Sequence, residues 1–191
     1  MDENRRTLDD PRALEALSHP VRLDVLGYLM SSGPATASAC ARAVGDTPSN
    51  CSYHLRVLAK HGLVEAVGSA DARERPWRPT VSGLETRIDS DDPAVVAGAT
   101  AMVAASLQLD YQLAREHLRT RERLDPSWRD ADAQMSYGVR VTPDELRALV
   151  RRIDELVRPY IAATRTDAPD EASLAEISLL AFPRPGFGSR V

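Results

Sequence analysis

Apolar residues recur at helical spacing through most of the chain, and helix caps fill the breaks between the periodic runs. Asp9 to Leu17 reads as a short helix, with Asp10 as cap, Pro11 in the first turn, and Leu14 and Leu17 inward. His19-Pro20 interrupts it. A second helix follows from Pro20 to about Met30, with Val21, Leu23, Val25, Leu26 and Leu29 on a broad apolar side; Ser31-Ser32-Gly33-Pro34 ends it. Thr36 caps a third helix carrying Ala39, Cys40, Ala43 and Val44, and Gly45-Asp46 makes a turn. Thr47 caps a fourth, which opens on Pro48 and runs to about Lys60. Its Cys51, Leu55 and Leu58 stand at i, i+4 and i+7 and form an inner stripe, and His61-Gly62 supplies a glycine C-cap.

Two short strands are predicted next, Leu63 to Val67 and Trp77 to Val81, joined by a polar, partly basic tip that includes Arg73, Glu74 and Arg75. Helices followed by a hairpin in this order predict a winged helix-turn-helix. Ser90-Asp91-Asp92-Pro93 then opens a long helix to about Arg123, which Asp125-Pro126 stops. Its first half is apolar and its second half charged. Ala97, Gly98, Ala101, Ala104 and Ala105 permit close helix contact, and a dimer seam is expected through Val96, Met102, Val103, Leu107 and Leu109.

The last third changes period. Tyr137, Val139 and Val141 alternate with Gly138, Arg140 and Thr142, which predicts a strand. Thr142-Pro143-Asp144-Glu145 is a capping box, and a helical stripe runs from Leu146 to Ile161. A final strand is predicted from Leu174 to Phe182. Strand, helix, strand is simplest as a right-handed crossover. Two strands rarely stand alone, so pairing elsewhere is expected, the other protomer included. The Pro- and Gly-rich end, Pro183 to Val191, is expected to be mobile. The predicted fold class is α+β, mostly α. Its parts are a winged helix-turn-helix over 1–88, a long connecting helix over 89–125, and a C-terminal β-α-β module over 126–191 for dimerisation or ligand sensing.

Composition narrows the functional classes. The 191 residues suffice for one large domain or two small ones, and 43% hydrophobic with 27% charged content is ordinary for a soluble globular protein. The net charge of −4 means that any nucleic-acid affinity comes from a local patch. Two cysteines, Cys40 and Cys51, fit a disulfide-stapled secreted domain poorly, and the charged start MDENRRTLDDP has no apolar signal region. From Pro93 to Leu109 no residue is charged, but the stretch is short for a membrane span and carries Gly98, Thr100, Ser106 and Gln108. A cytoplasmic protein with no membrane contact is expected.

The helix from Thr47 to Lys60 is the expected DNA reader, lying in the major groove with hairpin 63–81 as wing. Opposite its apolar stripe it presents Ser49, Asn50, Ser52, Tyr53, Arg56 and Lys60, with His54 nearby. Short polar groups near a helix start reach base edges, cations anchor phosphates, and the helix N-terminus, at Thr47, offers free N–H groups. Arg73, Arg75 and Arg78 on the hairpin add an adjacent positive region, weakened by Asp71 and Glu74. LEALSHPVRLDVLGYL and ATASACARAVGDTPSNCSYHLRVLAKHGLVEAV resemble the ArsR-type winged-helix regulators, and SNCSYHLRVLAKHGLV carries the likeness most specifically. Arg73-Glu74-Arg75-Pro76-Trp77 resembles that family's wing, and the likeness covers about residues 10 to 82. It implies a dimer that usually represses and releases DNA when a signal binds, with Ser49, Asn50, Ser52, Tyr53, His54 and Arg56 facing the groove.

Metal-sensing members of that family carry paired thiols in the first helix of the motif. Here that helix has Cys40 alone, while Cys51 takes an inward position, so no metal site and no cofactor are expected. No phosphate loop, GxSxG or HExxH motif occurs, and no enzymatic role is expected. The partners expected are double-stranded DNA and a second copy of the chain, with a small-molecule effector left open. The alternative is a winged helix used only for protein contacts. Apolar or acidic groups on the exposed face of the fourth helix would mark that version, and Ser, Asn, Tyr and Arg stand there instead.

Overall fold

A computed structural model describes residues 5–68, 75–86 and 90–184. The hairpin tip with Asp71, Arg73 and Glu74, and the last seven residues of the tail, lie outside them. The chain divides into two units: one runs to Arg123 and takes in Ala162–Thr164, the other holds Leu124–Ile161 and everything from Arg165 on.

The first unit opens on β1 (Arg5–Leu8) and continues through α1 (Pro11–Leu17), α2 (Pro20–Ser32), α3 (Ala37–Val44) and α4 (Pro48–Lys60). Each of the predicted caps forms. Asp10 accepts from Arg12 N–H, Thr36 from Ala39 N–H and Thr47 from Asn50 N–H, which satisfies first-turn donors that the helix itself leaves open. Prolines open α1, α2 and α4. Gly33, Gly45 and Gly62 take φ of 80°, 69° and 66° just past the ends of α2, α3 and α4, where a side chain would be strained.

After α4 the period changes. β2 (Val64–Ala66) pairs antiparallel with β3 (Trp77–Pro79), Val64 opposite Pro79 and Ala66 opposite Trp77. Ala35 and Trp77 exchange both backbone hydrogen bonds, at 3.0 and 2.8 Å, so the hairpin is tied to the residues that lead into α3. β4 (Gly83–Thr86) follows and pairs in parallel with β1, Arg5 opposite Gly83. β1 lay outside the sequence expectation. Its Leu8 is buried, and Arg6 Nη1 donates to His61 O at 2.9 Å, which pins the end of α4.

The core gathers Leu14 and Leu17 from α1, Val25, Leu26 and Leu29 from α2, Cys40 from α3, and Cys51, Leu55 and Leu58 from α4, all fully buried or nearly so. Helix α5 (Pro93–Thr120), capped by Asp92, joins it through Val95, Ala99 and Met102. Gly98 makes this approach possible: a Cβ there would stand 2.8 Å from Leu14 Cβ. The expected connecting helix is therefore a core helix of the first unit, packed on α1 and α2. The expected seam is corrected in one member, since Met102 is consumed by its own chain's core. Val96, Val103 and Leu109 are half-buried, and Leu107 is 42% exposed. By length and composition Pro93–Arg123 also passes as a membrane span, but its inner face is core surface.

A 3₁₀ turn (Arg121–Arg123) extends α5, and Asp125, expected only as a stop, also caps α6 (Pro126–Ala131). In the second unit α7 (Pro143–Val157) carries the predicted capping box in full: Thr142 Oγ1 accepts from Glu145 N–H at 3.2 Å and Glu145 Oε2 from Thr142 N–H at 2.7 Å. The β-α-β expectation is corrected here. Residues 137–141 and 174–182 form no ladder, because no strand edge is beside them to take their N–H and C=O groups. The observed class is α+β, mostly α, with its small sheets confined to the first unit.

Candidate nucleic-acid interface

Helix α4 is held from beneath by Cys51, Leu55 and Leu58 and shows its other side to solvent. Ser49, Tyr53 and Arg56 are exposed there and Ser52 is half-buried; i, i+3, i+4 and i+7 spacing puts these four on one side. Tyr53 is 55% exposed: its ring meets His54 at 5.4 Å and turns its remaining surface to solvent beside Ser49, Ser52 and Arg56. Arg56 Nε donates to Ser52 O at 3.1 Å, which holds the exposed guanidinium along the helix.

The start of α4 is braced. Asp46 Oδ1 accepts from Thr47 N–H at 2.6 Å and Asp46 Oδ2 from Asn50 Nδ2 at 2.6 Å. The backbone donor at Thr47 and then the Asn50 amide hold the Asp46 carboxyl below its ordinary pKa. Asn50 thus stands on the exposed face with its amide already engaged, and Thr47 spends its hydroxyl on the cap. The expectation was of Asn50 facing the groove; Asp46, one turn back, is the sequence signal from which the clamp could have been read.

His54 is the clear correction. Expected to face the groove, it is 3% exposed. It follows Cys51 by three positions and precedes Leu58 by four, so helical geometry turns it onto the inner stripe. Its ring lies 4.7 Å from His19 and 5.4 Å from Tyr53, and its Nδ1 has no hydrogen-bond partner. Burial first, then His19 and Arg22, push its pKa below the usual histidine range, while Asp46 pulls the other way.

Across from Ser49 and Ser52 a cleft of about 310 Å³ opens between α4, the start of α3 and the hairpin. Thr36, Ala37 and Ser38 line one wall, Arg75 and Trp77 another. Sequence reading found Ser49, Ser52 and Arg75 but missed Ser38 and Trp77, because only the Ala35–Trp77 bridge brings the hairpin against α3. Arg78 is exposed on the hairpin, yet its Nε pairs with Glu65 Oε1 at 2.7 Å, so much of its field is cancelled locally. Lys60 stands apart from this set. It borders a second cleft with Arg12, Glu15 and His61, on the α1 side of the helix. Arg73 lies outside the described residues.

Nothing in this arrangement assembles a metal centre. Among the described residues no three His, Cys, Asp or Glu side chains come together. Cys40 and Cys51 are both buried thiols, and burial together with Cys51 lifts the Cys40 pKa to about 11.

Residues 17–67, which span α2 to β2, match the family model described as a helix-turn-helix domain. The chain therefore carries a helix-turn-helix DNA-binding domain, and α2, α3 and α4 lie within the matched residues. No curated protein matches the chain.

Proposed function

We propose that this protein is a sequence-specific, cytoplasmic transcriptional regulator of the ArsR-like winged-helix kind, a repressor acting as a homodimer and without enzymatic activity. The observation that carries the reading is the exposed side of α4, where Ser49, Ser52, Tyr53 and Arg56 stand together above an inner stripe of Cys51, His54, Leu55 and Leu58. Inserted in a major groove, the two serines and Tyr53 meet base edges and Arg56 meets a phosphate. The β2–β3 hairpin serves as wing, with Arg75 on the strand side of the cleft reaching the flanking backbone. Asp46 and Asn50 act as a brace that fixes how the helix start is presented.

Two copies are needed to read two half-sites a helical turn apart. The outer surface of α5 supports that assembly: Leu107 is 42%, Tyr111 64% and Leu118 71% exposed along one helix whose opposite side is already core. A small-molecule effector acting through the second unit completes the proposal.

The test is fluorescence anisotropy on DNA selected from a random pool, over a salt series. Specific binding is expected, with log K falling linearly in log salt. Arg56→Ala should weaken binding and reduce that slope by up to about one unit. Binding no tighter than to scrambled DNA, after selection, would overturn the regulator and leave a protein-contact module.

A further inference from the structure

We propose that residues 135–141 of one chain pair antiparallel with residues 174–182 of a second copy, Arg140 opposite Glu176, so that a symmetric dimer holds two reciprocal ladders. The proposal deepens the homodimer reading above and rests on it, but it concerns a different surface from α5.

Three observations converge. First, the second unit has strong local structure and no buried side chain. The capping box of α7 is complete, yet every described residue from 124 to 184 is half-buried or exposed. Eight large apolar side chains on the two segments are half to three-quarters exposed, Val139 at 56%, Tyr137 at 75% and Ile177 at 66% among them. At roughly 110 Å² each they leave on the order of 900 Å² in water, as much as the about 800 Å² each partner gives to a standard interface.

Second, both segments have strand character without a ladder. Residues 135, 137, 139 and 141 are Met, Tyr, Val and Val, and 175, 177, 179 and 181 are Ala, Ile, Leu and Ala. Third, each segment contains a single charge, of opposite sign: Arg140 in 135–141 and Glu176 in 174–182. In an antiparallel ladder, setting Arg140 across from Glu176 also sets Val139 across from Ile177 and Tyr137 across from Leu179. Charge and one apolar face thus agree in one register, with Leu174, Leu180 and Phe182 on the opposite face beside Glu176.

Within one chain the two segments form no ladder, so the register is assigned to a second copy; a parallel crossover around α7 would not give it. The parallel register that joins Arg140 to Glu176 sets Tyr137 beside Ser173 and Val139 beside Ala175, and loses both large pairs. With two-fold symmetry each chain gives one segment and takes the other, so each segment gains one paired edge.

The experiment is cysteine cross-linking in the full chain. Both native cysteines are buried, so introduced thiols report alone. Val139→Cys and Ile177→Cys chains are co-expressed, oxidised mildly and run without reductant. A covalent dimer is expected from the pair and not from either variant alone. No covalent dimer, or a Val139→Cys/Ile177→Cys double variant that closes within one chain, would overturn the ladder. Arg140→Glu and Glu176→Arg should each raise the dimer dissociation constant about two- to fivefold, and the double swap should restore it; failure to restore it refutes the register. Sedimentation of the unaltered chain separates the two readings. A dimer without the 139–177 link removes the ladder and leaves the homodimer standing, whereas a monomer removes both.

Discussion

Replacing Gly98 by alanine should destabilise the protein although alanine is the better helix former. In a helix interior, glycine to alanine gains about 0.8–1.0 kcal/mol. At Gly98 the new methyl would lie 2.8 Å from Leu14 Cβ, 3.5 Å from Leu14 Cδ1 and 3.6 Å from Pro11 O, so α1 and α5 must move apart. Overpacking of this kind costs typically 1–3 kcal/mol, which outweighs the propensity gain and leaves a net loss of roughly 1 kcal/mol. Gly27 is the internal control. It also sits inside a helix, α2, but a methyl there meets nothing within 4 Å, so Gly27→Ala should stabilise by up to about 1 kcal/mol. Urea unfolding followed by circular dichroism at 222 nm gives both values. The two variants should differ by about 2 kcal/mol, or ~8 °C in thermal midpoint at roughly 4 °C per kcal/mol. Leu14→Gly in the Gly98→Ala background removes the clashing Cβ and should recover part of the loss, a coupling that a double-mutant cycle reads directly. If Gly98→Ala stabilises as much as Gly27→Ala, the close crossing of α1 and α5 does not exist in solution, and α5 is free to be something other than a core helix.

Three further outcomes follow from the site. Glu65→Gln releases Arg78 from its 2.7 Å ion pair and removes a negative charge from the hairpin; DNA affinity should rise at low salt and the salt slope steepen by up to about one unit, with thermal stability almost unchanged because the pair is exposed. His54 has its pKa lowered from 6.5 by burial, so the unfolded chain takes up a proton before the folded one does. Stability is then full above pH 6.5 and falls as pH drops from there toward the lower folded value; in His54→Leu this part of the pH dependence of the melting temperature should vanish, and its persistence would refute the assignment. Cys40, with a pKa of about 11, should resist Ellman's reagent at pH 8 in the native protein and react on unfolding; rapid native labelling would show that α3 opens.

What the sequence disclosed were features written locally. The caps at Asp10, Thr36, Thr47 and Thr142, the prolines after them, and the Cys51-Leu55-Leu58 stripe all form as read, because each rests on neighbours within one turn. The hairpin was legible from its change of period. Features that depend on distant partners were not. β1 is four residues, RRTL, without alternation, and exists as a strand only because β4 lies beside it. Residues 137–141 and 174–182 show the reverse case, strand pattern without an edge to pair with. Helical spacing placed Ser49, Ser52, Tyr53 and Arg56 on the outer side of α4, where they stand. His54 was misplaced because its polarity was weighed above its position between Cys51 and Leu58. The pairing of Arg78 with Glu65 depends on cross-strand register, which spacing along the chain does not reveal.

The parallel ladder of β1 with β4 has an architectural consequence. It places the beginning and the end of residues 5–86 side by side, with α1 leaving one strand and α5 following the other. The DNA-reading part is thereby closed on itself, like a cartridge whose two leads emerge from one socket. The first half of α5 leaves that socket and completes the core beside α1. Modules beyond α5 can therefore be exchanged, lengthened or fused to a reporter while the reading surface keeps its shape.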